Sequence, residues 1–348
     1  MALWTDVIDP AELTGYARAS LEDYETRKGT LARWLPNREV NDIVARFVAG
    51  STGLVEAALF RAFDAEPEVG KARPLKRITL ELPALGQNIP ISEYQQLRTR
   101  NASDEAILAS VLKTTDQVVQ AVADAIERLR GIVISTGKAT ITQVMDGASV
   151  TFSDDDFGRS GTHTVTAASP WSTASVSRLA DLTSWSDTWT NDNGEAPGAL
   201  LMSTRVLRAL GAGNEFQTQL INGGARPATR TDVDAIVSGA GLPPIYVYDR
   251  RVNISGTSTK VLPDDRLFFL PAPVDPNDGE GSALGATFWG QTLSSTDERY
   301  GIEPSEQPGI VAGVYRGEKP PMIAEVISDA IALPVLANAD LSFSADVL

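Results

Sequence analysis

The chain has 348 residues, enough for about two domains with a sizeable core. Its 43% hydrophobic and 22% charged residues are those of an ordinary globular chain, and no apolar run reaches the ~18 residues of a membrane span. The absence of Cys excludes disulfides and thiolate chemistry, a single His removes most metal and general-base designs, and a net charge of -15 argues against gripping nucleic acid, though not against enclosing it.

The opening MALWTDVIDP lacks the basic n-region of a secretory signal. Asp9-Pro10 starts an amphipathic helix with Leu13, Tyr16, Ala17 and Leu21 on one side. A second short segment offers Val40, Ile43, Val44 and Phe47, and Trp4, Trp34 and Leu35 stand between as isolated apolar anchors. Residues 1–50 cannot bury enough by themselves, so they should lie on another surface.

Residues 57–99 read as extended. The run AALFRAFDAE leads to a charged, Gly- and Pro-punctuated tip, PEVGKARP. The return LKRITLELP alternates Ile78, Leu80 and Leu82 with Arg77, Thr79 and Glu81. An isolated hairpin of this kind is marginal in water and needs a sheet or a neighbour.

Next comes one long helix over 103–130. Ser103 is its N-cap, Asp104 and Glu105 suit the positive end of the dipole, and Arg128 and Arg130 suit the other end, with Gly131 as the stop. Leu108, Val111, Thr115, Val118, Val122, Ile126 and Leu129 form its apolar face.

Beyond it, GIVISTGKATIT and GASVTFSDDD read as strands joined near Asp146-Gly147. The stretch 153–198 is mixed helix and loop, with Trp171, Trp185 and Trp189. Residues 196–275 follow a strand, helix, helix, strand, strand pattern, a compact mixed unit. A loop-rich stretch covers 275–310. The tail holds two or three strands that should return to pair with those after the long helix.

Catalytic constellations are only approximated. Gly131 to Lys138 misses the phosphate-loop spacing, and Ala139 stands where a hydroxyl is needed. Ser135-Thr136-Gly137-Lys138 matches Ser-x-x-Lys without its companion motifs. Asp275 to Gly279 lacks the bidentate Glu of a calcium loop. The Asp154–Asp156 run reads as a solvated turn, and His163 as a surface histidine without a partner. An acidic hydrolase built on Ser135 or that run would need distant groups to converge. No catalytic residue, cofactor or metal is expected.

The order of arm, hairpin, long helix, strands, inserted mixed domain and returning strands resembles the tailed-phage major capsid protein of the Hong Kong-type capsid fold. The strings LWTDVIDPAELTGYARASLEDYE, FRAFDAEPEVGK, TLELPALGQNIPISEY, VLPDDRLFFLP and IALPVLANADLSFSADVL resemble the lambda-type (E family) members. The resemblance spans nearly the whole chain. It implies an α+β fold with an N-terminal arm at 1–56 and an extended loop at 57–99. A peripheral domain would take 100–150 and 311–348 with the spine helix 103–130, and an axial domain 151–310.

By the same resemblance the chain forms hexamers and pentamers that tile an icosahedral head shell around double-stranded DNA. Its expected partners are itself, a separate scaffolding protein and a portal, with a decoration protein left open. It would be assembled in the host cytoplasm and end in the virion. The loop tip, Glu66, Glu68, Lys71, Arg73, Lys76 and Arg77, is expected to touch the next subunit, and Trp4, Tyr16 and Trp34 are the arm's contact residues. Lys71 and Lys76 are candidates for a crosslink by position only, and none is expected. An encapsulin-like nanocompartment shares the fold and is the alternative within the same class.

Overall fold

The computed structural model describes residues 2–5, 8–49, 76–99, 104–145, 148–173, 175–216, 228–276 and 281–348. The expected first run of the hairpin and most of its tip lie outside these residues. After a short strand β1 (Ala2–Leu3) comes α1 (Pro10–Lys28). Asp9 caps it by accepting from the Ala11 amide, Pro10 fills the first turn, and Arg27 and Lys28 sit at the negative end. Gly29, at φ +74°, ends it.

Three strands follow: β2 (Asn37–Glu39), β3 (Val44–Ala49) and β4 (Lys76–Glu81). β3 and β4 form a separate antiparallel ladder, Val44 opposite Glu81 and Ala49 opposite Lys76. β5 (Ala84–Ile91) and the short α2 (Glu93–Thr99) lead to α3 (Asp104–Thr136).

α3 is 33 residues, about 50 Å long. Its expected apolar face is real: Val111, Val118, Val119, Val122 and Ile126 are buried against β-strands and α1. Each such side chain contributes roughly 1.5–3 kcal/mol by leaving water. The helix does not stop at Gly131. It continues six residues past Arg130, so GIVIST is helix and not strand. Gly131 is there for space: a Cβ would lie 2.4 Å from the Val261 carbonyl oxygen. The true terminus is Gly137, at φ +75°, whose amide donates to the Val133 carbonyl.

β6 (Lys138–Met145) and β7 (Ala148–Asp156) form a second isolated ladder. β8 (Thr164–Thr166) and α4 (Arg178–Asn193) precede the mixed unit. There the expected order holds: β9 (Ala199–Met202), α5 (Thr204–Gly211), α6 (Arg230–Gly239), β10 (Ile245–Val247) and, after the small hairpin β11 (Arg251–Ile254) and β12 (Thr257–Lys260), β13 (Arg266–Leu270). Ser203 caps α5, and Thr229 with Asp232 makes a capping box on α6.

The loop-rich 275–310 conceals a fully buried strand, β14 (Gly285–Trp289), and a one-turn helix α7 (Leu293–Thr296). β15 (Val311–Arg316), β16 (Ala324–Leu336) and β17 (Phe343–Asp346) close the chain.

Two main sheets result. The six-stranded one centres on β16, with β5 along one side and β15 and β14 end to end along the other. β1 extends β15 and β2 extends β14. The five-stranded sheet runs β10-β9-β13-β17-β8. The expected pairing of the tail with β6 and β7 does not form; the tail instead supplies the central strand of the first sheet, β16, and an inner strand of the second, β17. The second half of 57–99 is likewise not free hairpin, because β5 pairs with β16 over eight residues. α3 packs most of its length on the first sheet and drives Val133 and Ile134 into the second core.

Candidate assembly site and the buried node behind it

Where α1, α3 and both sheets meet, charge is buried. Arg130 and Glu127 are 0% exposed and Glu25 is 4% exposed. Arg130 Nη1 lies 2.6 Å from Glu25 Oε1 and 3.1 Å from Glu127 Oε2. Its Nη2 donates to Asn37 Oδ1 at 2.6 Å, and its Nε to Thr287 Oγ1 at 3.0 Å. One guanidinium thus joins α1, α3, β2 and β14. Burial opposes its charge, but Glu25 and Glu127 outweigh that and raise its pKa.

Glu127 reaches the other way. It accepts from the Leu31 amide at 2.7 Å, from the Thr30 hydroxyl and from Tyr248 Oη. Burial, then Glu127's charge, pushes the Tyr248 hydroxyl far above its ordinary range, so it stays protonated and donates. Arg250 binds Asp124 Oδ1 at 2.9 Å and the Gly29 carbonyl, and its guanidinium lies 5.2 Å from the Tyr24 ring centre. The node fixes α1 and the segment after β10 on one helix. Arg130 reads in sequence as a cation suited to a helix terminus. The signal that could have found it is that Glu127 and Arg130, three apart, flank the apolar positions Ile126 and Leu129.

Tyr16 donates to Asp116 of the same subunit's α3 at 3.0 Å, and Ser20 joins it at 2.7 Å. Trp4 lies under Arg316, 4.8 Å from guanidinium to ring centre. Trp34 is buried, edge-on to Tyr246, and its Nε1 donates to the Pro271 carbonyl at 3.0 Å. Glu66, Glu68, Lys71 and Arg73 lie outside the described residues. Lys76 and Arg77 begin β4, and Arg77 is exposed opposite Val48.

Several catalytic near-misses have structural partners, while Asn277, Asp278 and Gly279 of the calcium-loop near-miss lie outside the described residues. His163 is not a surface histidine. It is 0% exposed between Trp189 and Phe343, with Nε2 2.9 Å from Asp192 Oδ2. Asp154 accepts from Thr140, Asp155 from Ser153, and Asp156 pairs with Lys138 at 2.8 Å. Ser135 Oγ donates to the Ile132 carbonyl within α3, away from any Lys dyad. Among the described residues no cluster of three or more His, Asp or Glu could hold a metal ion, and no helix is long and apolar enough to cross a membrane.

A long helix lies across a β16-centred sheet, beside a second mixed sheet and a two-stranded ladder whose Phe47 stacks on Phe288, and this fold is that of phage capsid proteins. Residues 17–279 match the family described as phage major capsid protein E, and the chain belongs to it. It resembles the putative capsid protein of a prophage of E. coli CFT073 at 14% identity and a TM-score of 0.61, over 98% of this chain and 99% of that one. A phage-related protein of Bordetella bronchiseptica RB50 gives 12% identity and a TM-score of 0.57, over 99% and 98%. The capsid of Myoviridae Phage XM1 gives 12% and 0.50, over 91% and 90%. No curated protein matches the chain. The chain is a capsid shell protein of the virion, and its family and fold indicate a structural role.

Proposed function

We propose that this chain assembles into hexamers and pentamers that close an icosahedral head around double-stranded DNA. The single observation that supports this best is the family match over 17–279 on a subunit whose β3–β4 ladder stands outside both main sheets. In this reading residues 1–56 act as the arm and 57–99 as the extended loop, with β4 as its returning limb. The peripheral domain of 100–150 and 311–348 also takes in β5 and β14 through the six-stranded sheet, while the axial domain of 151–310, which surrounds capsomer centres, gains β17 through the five-stranded one. Head-to-tail contacts close into rings when the rotation allows.

Scaffolding and portal proteins are the proposed helpers, with assembly in the host cytoplasm. The net charge of -15 suits a wall that must not adhere to its polyphosphate contents. Trp4, Tyr16 and Trp34 hold the arm on its own subunit, which leaves the loop tip as the proposed contact with the next one. The test is light scattering on the chain expressed alone and with a scaffolding protein. Capsomers or closed particles are expected, and a stable monomer under both conditions would refute the reading.

A further inference from the structure

β5 is the outer strand of the six-stranded sheet, since β14 and β15 occupy the other side of β16. An open edge is a template for another chain, and folded proteins blunt such edges with shortness or charge. Most other edge strands among the described residues are blunted, although β6 carries a charge only at its first residue, Lys138. β1, β2, β8 and β10 have two or three residues. The ladders outside the main sheets carry charge: Arg46, Lys76, Arg77 and Glu81 in β3–β4, Lys138 and Asp154–Asp156 in β6–β7, Arg251 and Lys260 in β11–β12. β5, ALGQNIPI, runs eight residues without a charge.

The ladder shows which backbone groups face outward. Pro90 stands opposite Glu325 and has no N–H, so this is a non-hydrogen-bonded pair. The Ala332 amide donates to the Pro83 carbonyl, and the Gln87 amide reaches Ser328 Oγ at 3.2 Å. The odd-numbered residues therefore face β16. By alternation Gly86 and Asn88 aim both N–H and C=O away from it. Gly86, Gln87, Asn88 and Pro90 are exposed, and no turn or loop among the described residues bonds the Gly86 or Asn88 amide.

We infer that this edge pairs with an extended strand of a second copy of the chain, adding a strand across the subunit boundary. The inference rests on the shell reading, because a shell is what brings a second copy to each edge. Charge permits the same occupant: two copies at -15 repel, β5 itself carries no carboxylate, and the one carboxylate beside its edge, Glu325, is already bonded by Asn88 Nδ2 at 2.9 Å. Main-chain hydrogen bonds supply the attraction there, and flanking side chains set the register.

Hydrogen–deuterium exchange on the wild-type protein, read by mass spectrometry with residue-level fragmentation, tests this. In the unassembled subunit the Gly86 and Asn88 amides should exchange fast, while Gln87 and Ile89 are already slowed by β16. In assembled particles the Gly86 and Asn88 amides should slow by at least about tenfold. A companion variant, Asn88→Pro, removes an amide that β5 does not use in its own sheet. Because it also loses the Asn88 Nδ2 bond to Glu325 Oε2 at 2.9 Å, Asn88→Ala is the control: the proline variant should melt like that control in the unassembled subunit and give several-fold fewer particles than it. Particles in which both amides still exchange fast, or an Asn88→Pro chain that assembles like the Asn88→Ala control, would overturn this inference alone. Absence of any particles would overturn the shell reading and this inference with it.

Discussion

Arg130→Met tests the buried node. The substitution keeps roughly the side-chain volume and deletes the cation between Glu25 and Glu127. Breaking a buried pair from one side costs about 3–5 kcal/mol, because the charge left behind is uncompensated. The low end applies here, since Arg250 Nη1 lies 3.8 Å from Glu127 Oε1 and still offsets that carboxylate. Glu25 is the group left stranded. At roughly 2 °C per kcal/mol for a chain of this size, the melting point should fall by about 6 °C.

The double variant Glu25→Leu/Arg130→Met removes both charges. Glu127 then keeps Thr30, Leu31, Tyr248 and Arg250, Asn37 Oδ1 still accepts from Trp289 Nε1, and Thr287 Oγ1 still donates to Leu35. The double should therefore be more stable than Arg130→Met alone, with a coupling of at least about 1–2 kcal/mol. Urea unfolding of the unassembled subunit measures all three. A double variant as unstable as the sum of the singles would show that the pair is not a coupled buried unit.

Gly131→Ala separates propensity from packing: Ala is favoured in a helix interior by about 1 kcal/mol, yet its Cβ would meet the Val261 carbonyl at 2.4 Å. A net loss of roughly 1–3 kcal/mol is expected in the same unfolding assay, and a gain would refute the close approach. Asp249 is buried enough to raise its pKa, but bonds from Thr204 and Lys260 outweigh that and lower it below 3.8. Its contribution is present above pH 3.8 and lost as pH falls through the lower folded value, so melting curves between pH 5 and pH 2 should show a drop that Asp249→Asn flattens. Reversing Lys71 and Arg73 to Glu should lower assembly yield while the subunit's circular dichroism stays unchanged.

Most of the long helix was legible because its apolar residues recur at one period over seven turns. Its end was not, because Gly131 is set by a backbone carbonyl more than a hundred residues away, and local pattern cannot show that. β14 was hidden for a related reason. GATFW is a short, fully buried strand with no alternation, flanked by loop chemistry, and only the ladder to β16 makes it a strand. The mixed unit was readable because Ser203 and Thr229 cap its helices locally. The node was the least visible, since Glu25, Asn37, Glu127, Thr287 and Tyr248 are charged or polar residues that look solvated until distant elements bring them together. His163 misled for the same reason: its shelter is built by Trp189 and Phe343 from elsewhere in the chain.

The most direct trial of the shell account is a cryo-EM reconstruction of whatever the expressed chain forms. Rings of five and six copies are predicted, with the segment joining Ala49 to Lys76 laid across the adjacent copy. Isolated subunits alone, or rings in which that segment rests on its own body, would contradict it.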